Sequence, residues 1–154
     1  MKFLLKNNIN IIKKVKAERK KIVFTNGCFD LLHVGHIRYL AQAKKLGDFL
    51  IIGLNSDSSV KALKGKDRPI NSFEDRAVLL SALTSVDLVI VFEELTPENL
   101  IKEIVPDVLV KGGDYNIEDI VGFQTVIQNG GLVKSLSFYD GYSTTNYIKK
   151  INKP

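Results

Sequence analysis

Five short apolar runs alternate along this chain with longer stretches whose apolar groups recur at helical spacing. The runs are Lys21–Phe24, Phe49–Asn55, Asp87–Phe92, Val108–Lys111 and Leu132–Leu136, apolar at consecutive positions as a strand covered on both faces must be. Between them, Ile37, Leu40, Ala43 and Leu46 mark a first helix, and Ser72 supplies an N-cap for a second that continues to Leu83. Thr96 caps a third with Pro97 at its first position, leading to Leu100, Ile101 and Ile104. A fourth covers 118–129 through Ile120, Val121, Phe123, Val126 and Ile127 until Gly130-Gly131 stops it, and the hydroxyl-rich run Gly141–Ile148 caps a last one. This alternation predicts an α/β fold, a single-domain doubly wound parallel five-stranded sheet of Rossmann-like type. Such sheets bind ligands above the strands' carboxyl ends where strand order reverses, and the turns at Gly27 and Gly112 are expected to flank that point.

The domain so predicted spans 21–154. Residues 1–20 precede it as a basic amphipathic segment, with Phe3, Leu4, Leu5, Ile9, Ile11, Ile12 and Val15 among lysines and asparagines. The segment is too short and too charged for a membrane span. It predicts a helix packed on the domain or on a second subunit, hence a homodimer, with membrane-surface binding as the lesser alternative.

At 154 residues, 45% of them hydrophobic and 25% charged, the composition is that of one globular domain. The net charge of +5 comes from scattered lysines without interleaved aromatics, which favours a pocket for small anions over a nucleic-acid surface. Cys28 is the single cysteine, so no intrachain disulfide forms, and a reducing cytoplasm is the expected compartment.

Candidate chemistry concentrates in Thr25–His36, where the first strand stops and a helix begins. A helix start directs unpaired N–H groups and a positive dipole end at the space above the strand, which favours phosphate. Gly27 lets the backbone turn sharply and Gly35 lets a ligand approach closely. His33 and His36, the only histidines, are three apart, so in one helical turn they share a face and can donate to one oxyanion. Zinc held by this pair with Cys28 or Asp30 is the weaker alternative, because a helix start repels cations. Downstream, Lys64, Lys66 and Arg68 surround Gly65 in a segment, Val60–Pro69, that reads as a mobile loop able to fold over a triphosphate. Arg76 is expected one turn into its helix, on the exposed side.

Gly27–His36, with its H-x-G-H turn, resembles the signature of the cytidylyltransferase-like nucleotidyltransferases, and Ser143-Thr144-Thr145 resembles the turn that completes their site. Within that superfamily the chain is most similar to the heptose 1-phosphate adenylyltransferases, through Phe24–Asp30, Gly53–Asp57, Leu63–Gly65, Arg68-Pro69, Asp75–Ala77, Val110–Tyr115 and Ser143–Thr145. The resemblance implies transfer of AMP from ATP to a sugar 1-phosphate, with Mg²⁺ bridging the phosphates and the sugar 1-phosphate supplied by a kinase on a separate chain. It assigns His33 and His36 to the α- and β-phosphates, Lys64 and more weakly Arg68 to the leaving or attacking phosphate, and Arg76 to phosphate charge. Asn26, Gly27, Phe29, Gly35, Lys111, Gly113, Asp114, Ser143, Thr144 and Thr145 are implied nucleotide contacts, Asp114 on the ribose or base. Asp30 falls to the turn and the sugar side, and Tyr147, where an aliphatic residue is more usual, to packing alone. A cytidylyltransferase acting on a polyol phosphate and a nucleotide-binding module without turnover remain the alternatives.

Overall fold

A computed structural model describes residues 3–5, 10–137 and 141–151 of the chain. Each apolar run forms a strand: β2 (Ile22–Gly27), β3 (Phe49–Asn55), β4 (Leu88–Phe92), β5 (Val108–Gly112) and β6 (Leu132–Leu136). A sixth strand, β1 (Phe3–Leu5), comes from the segment expected to be wholly helical and pairs in parallel with β4. Residues 1–2 and 6–9 of that segment, Ile9 included, lie outside the described residues. Its remainder is helical, α1 (Asn10–Ala17), and buries Ile12 and Val15 against the sheet, so the segment packs on its own domain.

The six strands run in the order β1-β4-β3-β2-β5-β6, all parallel. From β2 the chain moves outward to β3 and β4, then returns to β5 on the other side of β2. The order therefore reverses between β2 and β5, and Gly27 and Gly112 end those two strands as expected.

Successive side chains of a strand face opposite sides, and the core divides accordingly. Ile22, Phe24, Ile51, Leu88, Ile90, Phe92 and Leu109 meet α1, α5 (Glu98–Ile104) and α6 (Phe123–Gln128) on one face. Val23, Leu50, Ile52, Leu54, Val89, Val91, Val108 and Val110 meet α2 (Val34–Lys44) and α4 (Phe73–Ser81) on the other. Both faces being covered explains why the strands read as unbroken apolar runs.

Three helix expectations shift, the first at α5, whose N-cap is Pro97, without a side-chain cap hydrogen bond, in place of Thr96. Part of the supposed loop after β3 is helix α3 (Asp57–Lys64), capped by the Ser56 side chain accepting from Ser59 N–H, so Lys64 sits at a helix end. The stretch 118–129 is not one helix but a 3₁₀ turn at Ile117–Asp119 and then α6, because Gly122 at φ +92° breaks it. The Ser72 cap of α4 is present, its hydroxyl accepting from Asp75 N–H. Among the described residues no helix is long and apolar enough to cross a membrane.

Candidate active site

A cavity of about 860 Å³ opens above the carboxyl ends of β2, β3 and β5, within the range of small-molecule sites. Asn26–Asp30, His33, Gly35 and His36 line its middle. Asn55, Leu63, Lys64 and Leu95–Pro97 line the β3–β4 side. Lys111, Gly112, Tyr115 and Asp119–Val121 line the β5 side, with Gly141–Asn146 closing it from the start of α7 (Thr144–Ile151).

His33 is the N-cap of α2: its Nδ1 accepts from His36 N–H at 3.4 Å, which leaves Nε2 to carry the proton of the neutral ring. The two imidazoles stack, centroids 3.8 Å apart and 18° from parallel. Burial lowers the pKa of His33, and burial, then repulsion from His33, lowers that of His36 from 6.5 to about 4. Both rings are neutral at pH 7, each offering one N–H where the α2 N-terminus presents its own. The Nδ1 of His36 is buried with no hydrogen-bond partner.

The sharp turn expected at Gly27 falls at Phe29, whose φ is +45°, an unfavourable conformation for a bulky residue. Phe29 is buried edge-on to His36, with centroids 5.3 Å apart, so the strained residue braces that imidazole. Gly35 is needed for close approach, but by protein: a Cβ there would lie 2.9 Å from Tyr142 Cβ and 3.0 Å from His33 Nδ1.

Asp30, implied on the sugar side, is 2% exposed, and its carboxylate is directed at the following loop. Its Oδ2 pairs with Arg68 Nε at 2.5 Å, and Oδ1 accepts from the N–H groups of Ile70 and Asn71. The Asn71 side chain donates to the Asp30 carbonyl. This clamp ties the loop carrying Lys66 and Arg68 to the histidine turn; Arg68 still borders the cavity, as does Lys64, which makes no ion pair among the described residues.

Arg76 is not on an exposed face. It is fully buried and does not line the cavity. Its guanidinium donates to the Asn71 carbonyl at 3.1 Å, the Cys28 carbonyl at 2.5 Å and Asp57 Oδ1 at 2.7 Å. It therefore fixes the β2–α2 turn, the loop before α4 and the start of α3 relative to one another.

Lys111 reaches the cavity from β5, its Nζ donating to Asn26 Oδ1 at 3.2 Å. Burial depresses its pKa, Cys28 opposes this, and the nearby Lys64 adds to it. Burial likewise raises the pKa of Cys28, which stays a thiol. Gly113 and Asp114 do not line the cavity: Gly113 N–H donates to the Leu136 carbonyl, tying β5 to β6, and Asp114 is exposed. Tyr115 and Asp119, a few residues on, line it instead.

Ser143, Thr144 and Thr145 line the cavity, and Thr144 Oγ1 donates to the Leu31 carbonyl at 3.3 Å, seating the start of α7 on the histidine motif. Tyr147 packs on the histidine motif itself: its ring lies 5.7 Å from that of His33 and 14° from parallel. Tyr142, Tyr115 and Asn55 also line the cavity without having been singled out as site residues; Asn55 and Tyr115 fall within the stretches that carry the family resemblance, and Asn55, like Asn26, is a polar end to an apolar strand.

Residues 24–150 match the model of the cytidylyltransferase-like family. The chain is 62% identical over 139 residues to the bifunctional protein HldE of Haemophilus ducreyi, an alignment covering 90% of this chain and 29% of that protein. It is 54% identical over 143 residues to the bifunctional protein HldE of Geobacter sulfurreducens, covering 93% and 29% respectively. It thus spans under a third of the length of these curated relatives. Among solved structures it resembles the lipopolysaccharide core biosynthesis protein of Thermoplasma volcanium, with a TM-score of 0.65, 31% identity and coverage of 80% of this chain and 99% of that one. Pantoate-beta-alanine ligase from Francisella tularensis, at TM-score 0.63 and 15% identity over 95% of this chain and 73% of that one, shares the fold. With the histidine turn at the switch point of a parallel sheet and the family's pattern matched over most of its length, this chain belongs to the cytidylyltransferase-like family.

Proposed function

We propose that this nucleotidyltransferase transfers AMP from ATP to a sugar 1-phosphate, D-glycero-β-D-manno-heptose 1-phosphate, giving ADP-heptose and pyrophosphate. The observation that carries the reading is the stacked, neutral pair His33 and His36 at the α2 N-terminus, facing a cavity also lined by Lys64, Arg68 and Lys111. The similarity to the HldE proteins and to a lipopolysaccharide core biosynthesis protein supports the heptose.

In this reading a phosphate oxygen of the sugar 1-phosphate attacks the α-phosphorus of ATP in line, and the bond to the β-phosphate's bridging oxygen breaks to release pyrophosphate. The attacking oxygen is anionic at pH 7, so the reaction needs no protein nucleophile or base. Catalysis reduces to positioning two polyanions and neutralising their charge. His33 and His36 each donate an imidazole N–H to phosphate oxygens, and Lys64, Arg68 and Lys111 offset charge on the attacking and leaving groups. Asp30, beside the histidines, has its carboxylate filled by Arg68 and two backbone N–H groups, and the described residues gather no group of three metal-binding side chains. A Mg²⁺ brought in with the nucleotide would supply further positive charge beside Lys64, Arg68 and Lys111. The nucleoside falls to the β5 side, where Tyr115, Ile120 and Val121 offer the apolar surface a purine needs.

The test is pyrophosphate release from ATP or CTP against a panel of sugar 1-phosphates and glycerol 3-phosphate. The reading expects ATP with heptose 1-phosphate to be the best pair. CTP used at least as well as ATP throughout would make the protein a cytidylyltransferase, and binding without release would make it a nucleotide-binding module.

A further inference from the structure

We propose that Tyr147 is a positioning residue for His33, whose ring it holds by parallel stacking, so that the seating of α7 completes the phosphate site. The His33 ring is otherwise weakly held: its one hydrogen bond among the described residues, from His36 N–H, is 3.4 Å long, beyond the usual range. Its remaining restraints are rings. His36 stacks on it at 3.8 Å, Tyr147 lies near-parallel at 5.7 Å and Tyr142 at 6.2 Å, and both tyrosines belong to the C-terminal turn and helix. These three are also the titratable groups whose rings contact His33. The same turn grips the motif through Thr144 Oγ1 on the Leu31 carbonyl and through Tyr142 packed against Gly35. Tyr147 itself is 38% exposed, so it is no core residue whose loss would collapse the fold. Its consequence is local: without the stack the imidazole samples rotamers that turn Nε2 away from the phosphate.

The experiment compares Tyr147→Ile, Tyr147→Leu and Tyr147→Phe by proton NMR of the imidazoles and by pyrophosphate release. With two histidines in the chain, the Cε1–H region holds two resonances, assigned with His33→Gln. A stacked tyrosine shields His33, so the aliphatic variants are expected to move its resonance downfield. They should also lower kcat about two- to tenfold, the worth of one aromatic pair, with KM for ATP little changed. Tyr147→Phe keeps both at wild-type values, as a ring effect requires. An unmoved His33 resonance in both aliphatic variants overturns the proposal, and so does a Tyr147→Phe variant as slow as Tyr147→Ile, which would point to the hydroxyl. The kinetic arm rests on the adenylyl-transfer reading and the resonance arm does not. If the wild type releases no pyrophosphate from any pair, the resonance alone decides, a downfield shift supporting the stack and its absence refuting it.

Discussion

Replacing Arg76 with methionine separates two roles that sequence alone confuses, a guanidinium on substrate phosphate and a guanidinium that builds the site. Methionine keeps much of the side chain's length and removes the donors to Asn71, Cys28 and Asp57. The Asp57 side chain is 42% exposed and regains water, so the cost falls mainly on the Cys28 and Asn71 carbonyls and on the lost tie between three segments. Breaking a buried, charge-assisted set of this kind typically costs about 3–5 kcal/mol. For a chain of this size that corresponds to a fall in Tm of roughly 6–20 °C, at about 2–4 °C per kcal/mol. Because the Cys28 carbonyl lies in the turn that aims His33 and His36, turnover should also drop by about 10²-fold well below the melting temperature, as for a misplaced reacting geometry. Arg76→Lys keeps the charge but not the three-way fork, and should lie between. The assay is thermal unfolding by circular dichroism beside pyrophosphate release. A methionine variant that melts like the wild type yet has lost turnover would refute the argument and return Arg76 to the phosphates.

Three further outcomes follow from the same geometry. His36 has a folded pKa of about 4, below its ordinary 6.5, so the unfolded chain takes up the proton first. Its contribution to stability is complete above pH 6.5 and is lost as pH falls toward 4; urea midpoints across that window should decline less in His36→Gln, and an unchanged slope would contradict the burial. Asp30→Asn removes the charge that clamps Arg68 and the 70–71 backbone, so trypsin should cut after Lys66 severalfold faster than in the wild type, an equal rate showing that the loop is held by other means. Chelation of divalent metal should stop turnover without shifting the nucleotide-free melting temperature; a large shift would revive a structural zinc site.

The strands, the switch point and the histidine turn were legible in the sequence because each has a local signature: two-sided burial gives continuous apolar runs, and a glycine-flanked strand end before a helix marks a candidate anion site. What the sequence hid was tertiary. Arg76 sits in a helix that exposes Val78 and Leu79, so no periodicity marks it as the buried member. Phe3–Leu5 is too short to announce a strand and gains its meaning from β4. Gly113-Asp114 looked like a nucleotide turn, yet Gly113 is used to join β5 to β6 and the cavity wall falls to Tyr115. Tyr147 meets His33 from the far end of the chain, a contact that only the docking of α7 creates.

The identity of the products tests most directly the proposed attack at the α-phosphorus of ATP in a site organised by His33 and His36. Incubation with ATP and heptose 1-phosphate, followed by ³¹P NMR, should show the paired, coupled doublets of a nucleoside diphosphate sugar with one equivalent of pyrophosphate, formed at least about 10²-fold more slowly by His33→Ala or His36→Ala. Release of ADP or inorganic phosphate as the first product, or wild-type rates in either histidine variant, would contradict it.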